Sequence, residues 1–299
     1  MLTVVLATAA GVLCDHRTAR ATVAARGALS LMLYALLPFV AYVSFAHLHL
    51  SLGAAVGLIL AFAGLGLAGV LTTAIGRRMQ LPKPTLGALI CCVILVNTGY
   101  LGLPMAVVLL GPGALSHAVA YDQVISGPML FTAGFAVGGA FGDGGSFGQV
   151  GALRAFLTRN PPLIAAIAGL IVPASLAPAP LVTASHVVVD GLLVLGFFAV
   201  GVYLSSERRE DGAPLVELPD RRVALALSMR FLVNPVLLGA AILGGAAIPG
   251  AYLLQASMPS GINSLLIGHA FGLDQRLIAT VIVWTTTIVL LGGLVAYLA

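Results

Sequence analysis

Ten apolar runs follow one another along the chain, at residues 1–13, 29–46, 53–75, 86–110, 118–141, 161–176, 183–204, 223–243, 251–271 and 277–298. Most are long enough to cross the ~30 Å hydrocarbon core of a bilayer as helices. No soluble domain built around one buried core absorbs such a pattern. With 60% hydrophobic and only 8% charged residues, the composition is that of an all-α polytopic membrane protein. The first run is the shortest, at roughly 20 Å for 1.5 Å per residue. Either that helix is short and tilted or the true start lies upstream. No basic residues precede it, and it has no convincing cleavage site, so a signal peptide is not expected.

The basic residues test the count independently. Lysine and arginine occur at 17, 20 and 26, at 77, 78 and 83, at 154 and 159, at 208, 209, 221 and 222, and at 276, which is every second loop, while the loops between have none. By the positive-inside rule those loops are cytoplasmic and both termini lie outside, in a cytoplasmic (inner) membrane. Five runs on each side of a Gly-rich stretch then give two inverted five-helix repeats, 1–145 and 161–299, joined by a short cytoplasmic linker, 146–160. The net charge of +4 gathers on no basic face interleaved with aromatics, so nucleic acid is not an expected partner. Cys14, Cys91 and Cys92 form no metal spacing, and no cofactor or metal is expected.

Two of the runs are interrupted near their midpoints. Asn97-Thr98-Gly99-Tyr100-Leu101-Gly102-Leu103-Pro104 breaks the fourth and Met258-Pro259-Ser260-Gly261-Ile262-Asn263-Ser264 the ninth. Pro104 removes a helical hydrogen bond and crowds the preceding turn, while Gly99 and Gly102 suit a cap and a tight path. Non-helical backbone at that depth is tolerated only where protein or a watery cavity satisfies it. Paired interruptions in two halves point to a transport site. A half-helix also presents unpaired N–H groups and a positive dipole end, and Pro104 fits the first helical position there. That end suits a carboxylate. Asn97, Thr98 and Asn263 supply neutral donors and acceptors, to which Tyr100, Ser260 and Ser264 add, while Gly99, Pro259 and Gly261 shape the breaks. The plainer reading is that these groups only satisfy backbone freed by the breaks.

Five blocks in this order resemble the auxin efflux carrier family, in its bacterial short-loop form: LSLMLYALLPFVAYV from Leu29, NTGYLGLPMAVVLLG from Asn97, NPP from Asn160, RFLVNPVLLGAAILGG from Arg230 and MPSGINSLLIGHAFGLD from Met258. The resemblance implies a fold related to that of bile-acid transporters, with helices 1, 2, 6 and 7 as a scaffold. It implies a moving domain of helices 3–5 and 8–10, whose broken helices 4 and 9 cross, working as an elevator. It implies carriage of small organic anions such as malonate, malate or auxin-like acids, and a homodimer through helices 2 and 7. Some plant members have a second proline where this chain has Ser264, so the ninth-helix break is expected to be less sharp.

Two charges inside the runs are candidates for coupling or gating. Arg230 lies about a third of the way into its run, where it either snorkels outward or attracts the anion from a cavity. Asp122 sits beside the broken fourth run and suits H+ or Na+ coupling, against the plain reading of an interfacial carboxylate. Gly64-Leu65-Gly66-Leu67-Ala68-Gly69 matches a dinucleotide fingerprint but lies inside an apolar run, where close helix packing explains it. A reading from another class is an intramembrane aspartyl hydrolase using Asp122 and Asp143, although Asp143 falls in a Gly-rich loop. The expected function is carriage of a small organic anion across the lipid, not enzymatic catalysis.

Overall fold

Leucine, alanine and valine fill the apolar runs, and helices are the only way for one such segment to satisfy its own backbone in lipid. The computed structural model describes residues 2–17, 20–48, 51–142, 161–211 and 219–298, and among these the ordered elements are helices. The expected linker, 146–160, and Asp143 lie outside the described residues.

The fold is mostly helical and membrane-embedded, but the expectation of ten transmembrane helices in two inverted five-helix repeats is corrected. Among the described residues five helices are long and apolar enough to cross: Leu52–Arg78, Pro112–Phe141, Ala179–Ala199, Arg221–Leu243 and Gln275–Leu298. Leu6–Asp15, Tyr34–Ala46, Lys83–Ile94, Thr98–Leu110 and Pro161–Ile171 are shorter apolar helices. Hydropathy counts apolar residues whether or not the backbone stays helical. The run 251–271 shows the difference, because it holds Gly250–Ala256 and Asn263–Phe271, of 7 and 9 residues, and neither spans alone.

Glycines set how closely these rods approach. On Leu52–Arg78, a Cβ at Gly53 would lie 1.9 Å from the Ala247 carbonyl oxygen, at Gly57 2.7 Å from Ile248 and Tyr252, and at Gly64 2.4 Å from Asn234 Oδ1. Gly64, and Gly69 against Ile94, thus lie at helix contacts, while Gly66 between them meets no neighbour. Gly11 and Gly201 bring Leu2–Arg17 against Ala179–Asp211, each facing a backbone oxygen of the other rod.

The buried apolar residues form three clusters. The largest runs through Leu65, Leu89, Val93, Leu101, Leu238, Met258, Ile278 and Val281. A second joins Met32, Val40 and Phe45 to Leu103, Val119 and Val189. A small third one, Ala21, Ala25, Ala199 and Val202, packs Ala21–Leu31, which leads into the second run, against Ala179–Asp211 of the seventh.

Candidate functional site

The break in the fourth run does not fall at Pro104. Lys83–Ile94 ends ten residues earlier, where Leu95 turns extended (ψ 112°) and Asn97 leaves the helical region (φ −84°, ψ 61°). The chain then resumes in a wide π turn, Thr98–Gly102, followed by Leu103–Leu110, with Pro104 buried in its first turn. The wide turn, closed by Leu103 N–H on the Thr98 carbonyl, makes room for the proline ring.

The two interruptions meet. Val96 and Ser260 form an antiparallel bridge, in which Asn97 N–H donates to the Pro259 carbonyl at 2.9 Å and Gly261 N–H to that of Leu95 at 2.8 Å. A Cβ at Gly261 would lie 3.1 Å from the Val96 carbonyl, so the strands touch with little slack.

Side chains complete the accounting of backbone groups freed at the C-terminal ends. Ser260 Oγ donates to the Cys92 carbonyl at 2.6 Å and Ser264 Oγ to that of Cys91 at 3.3 Å. Ser260 N–H donates to Thr285 Oγ1 at 3.2 Å. Arg230, only 1% exposed, donates from Nη1 to the Val93 carbonyl and from Nε to that of Met258, both at 2.9 Å, and from Nη2 to the Ala256 carbonyl. It therefore clasps the negative C-terminal ends of both Lys83–Ile94 and Gly250–Ala256. It neither snorkels nor faces an open cavity.

The N-terminal ends differ. Neither Thr98–Gly102 nor Asn263–Phe271 carries a side-chain cap. Both open onto a cavity of about 200 Å³. One wall is the crossing itself, with Val96, Asn97, Gly99, Tyr100, Gly261, Ile262, Asn263 and Leu266. The second wall is Asp122, Gln123, Ser126, Gly127 and Leu130, and Leu37 and Pro162 close the far side. Asp122 accepts from Thr98 Oγ1 at 2.5 Å and from Gln123 Nε2 at 2.7 Å. Asn97 is 6% exposed, and its Oδ1 has no hydrogen-bond partner, as also Ser126 Oγ.

Of the residues singled out from sequence, Asn97, Gly99, Tyr100, Asp122, Gly261 and Asn263 line this cavity. Thr98 holds Asp122, while Pro104, Pro259, Ser260, Ser264 and Arg230 shape the crossing without lining the cavity. Sequence reasoning missed Gln123, Ser126, Leu37 and Pro162, and also Gln255, whose Nε2 donates to the Ala118 carbonyl at 3.2 Å and more weakly to that of Thr98 at 3.4 Å. Asn234, behind the crossing, donates to the Tyr121 hydroxyl at 3.1 Å. A polar amide in an apolar run was the available signal for Gln123, Gln255 and Asn234.

Comparison with known proteins adds two findings. Residues 152–297 match a family described as membrane transport protein. A protein of Methanocaldococcus jannaschii, described as an uncharacterized transporter, is 28% identical over 233 residues, which cover 75% of this chain and 71% of that protein.

Proposed function

Since these two matches support membership in the membrane transport protein family of transporters, which takes in the auxin efflux carriers, we propose that this chain is a secondary carrier of small organic anions. The anion binds where the two interruptions meet. One observation carries this reading: two uncapped helix N-termini open onto one cavity, while the C-terminal ends beside them are covered by Arg230. A carboxylate meets two positive dipole ends and neutral amides there, with no fixed cation to hold it too tightly for release. Asn97, Asn263, Gly99, Tyr100 and Gly261 contact the anion, and malonate or malate represents the class. Thr98 orients Asp122, which couples carriage to an ion. Pro104, Pro259, Ser260 and Ser264 give the breaks their shape.

The carrier works as an elevator. Residues 52–142 and 221–298 move with the crossing, and 2–46 and 161–211 stay as the scaffold. The cavity supports this division, because Leu37 and Pro162 belong to one body and the remaining lining residues to the other. The chain sits in the inner membrane with both termini outside and the 146–160 linker in the cytoplasm. Scaffold segments 21–46 and 179–211 pair two copies.

Asn97→Leu tests the site. In proteoliposomes the variant should insert as the wild type does and lose saturable malonate uptake by at least tenfold. Undiminished uptake would remove Asn97 from the site.

A further inference from the structure

An anion in this cavity has a carboxylate for a neighbour. Among the described lining residues Asp122 is the only acid, and there is no lysine, arginine or histidine. The elements packed against the Asp122 turn do not change that balance. His117 and Tyr121 precede it on its own rod, and Tyr100 is on the crossing. Pro161–Ile171 has no titratable group, and Arg77 and Arg78 stand at the far, exposed end of Leu52–Arg78. Arg230 lies beyond Tyr121 with its guanidinium engaged by three carbonyls.

The remaining charge is that of the two uncapped helix ends, each equivalent to about +0.5. Together they offset one negative charge, not two. An empty cavity with ionised Asp122 is balanced, and a cavity holding a monoanion is balanced only when Asp122 carries a proton. A metal cation fits less well than a proton. Both carboxylate oxygens already accept from Thr98 and Gln123, whose donor hydrogens point at the place such an ion would occupy.

Resting on the anion-carrier reading above, we propose that carriage is electroneutral, with one proton on Asp122 crossing alongside each monoanion. The proton adds to a free lone pair of the carboxylate from the side on which the anion enters and leaves to water on the other, so the loaded and the empty passage move the same charge and a full cycle carries none. Dianions are rejected.

The experiment uses the full chain in sealed proteoliposomes, with radiolabelled malonate as probe, a potassium gradient with valinomycin to set the potential, and a trapped pH dye. Malonate uptake should rise as external pH falls and the monoanion fraction grows. It should change the internal pH in step with malonate, persist when sodium is replaced by choline, and accumulate to the same level with or without an imposed 100 mV. Carriage of one net charge would instead shift accumulation about 50-fold per 100 mV. Asp122→Asn leaves the empty carrier with an unbalanced positive end, so whatever net uptake remains should follow the potential and no longer change the internal pH in step with malonate, while Asp122→Glu restores electroneutral, proton-coupled uptake. Wild-type accumulation that follows the potential, uptake without proton movement, or a sodium requirement overturns the coupling. Absence of any saturable uptake of malonate or of a monocarboxylate overturns the anion-carrier reading beneath it.

Discussion

Arg230 shows how a charge is made compatible with the middle of a helix bundle. Its guanidinium has five N–H donors in a planar fork, and three backbone carbonyls from two different broken segments converge on it. Truncation to Arg230→Met orphans all three. At about 1 kcal/mol for each unsatisfied carbonyl, a loss of about 3 kcal/mol is the lower bound. The expected outcome is a lowered melting temperature in detergent, and Arg230→Lys should recover only part of it, since a single ammonium does not reach the same three oxygens. A melting temperature unchanged in Arg230→Met would mean that the carbonyls find other donors. Besides Asn97 Oδ1 at the cavity, the buried amide oxygens Gln255 Oε1 and Asn234 Oδ1 have no N–H or O–H partner among the described residues. Each sits where a neighbouring glycine would carry its Cβ, at Gly102 and Gly64.

At the scale of elements, prolines go with four of the five wide turns among the described residues, Leu130–Gly134 being the one without. The π turns Met32–Leu36, Thr98–Gly102, Asp122–Ser126 and Met229–Val233 are each followed two residues after their end by a proline, Pro38, Pro104, Pro128 and Pro235. A proline has no N–H for the turn before it, and its ring needs space there, so the turn widens instead of the helix ending. Three of these turns carry Tyr100, Asp122 and Arg230, which is how an apolar rod presents a polar group sideways. The Arg221–Ser228 helix illustrates the opposite kind of control, at its exposed end. Asp220 caps it, accepting from Arg222 N–H at 2.9 Å and Val223 N–H at 3.0 Å. Slight burial pushes the Asp220 carboxyl up, but the bonds from Val223 and Arg222 outweigh it and hold the carboxyl below its ordinary value. The stability it contributes is therefore present above the ordinary carboxylate range and is lost as pH falls through the lower folded value. Asp220→Ala should cost about 1 kcal/mol at neutral pH and nothing at a pH below that value, read from melting curves at the two conditions.

At the scale of the whole molecule, the cavity lies between Leu37 and Pro162 on one side and the crossing on the other, the two sides assigned above to the proposed scaffold and the proposed moving body. If the bodies slide, pinning them stops carriage. In a chain with Cys14, Cys91 and Cys92 replaced, cysteines at Leu37 and Leu266 joined by a short bifunctional maleimide should reduce malonate uptake to background, while either single cysteine treated alike should not. Uptake that survives complete cross-linking would argue for a fixed scaffold with local gates.

The membrane class, the rarity of charge, the two interrupted segments and the candidate residues Asn97, Asp122 and Asn263 were all legible in the sequence. Apolar length and helix-breaking residues act locally, through backbone hydrogen bonds that each segment must satisfy by itself in lipid. The number of full-length spans was not legible, since hydropathy does not report where the backbone leaves the helix. Nor was the role of Arg230, because the carbonyls it holds lie 137, 28 and 26 residues away in the chain. Only tertiary contact brought Val96 against Ser260, covered the negative helix ends and left the positive ones open beside Asp122. Polarity of a buried site is a sum over groups from distant segments, and folding alone performs that sum.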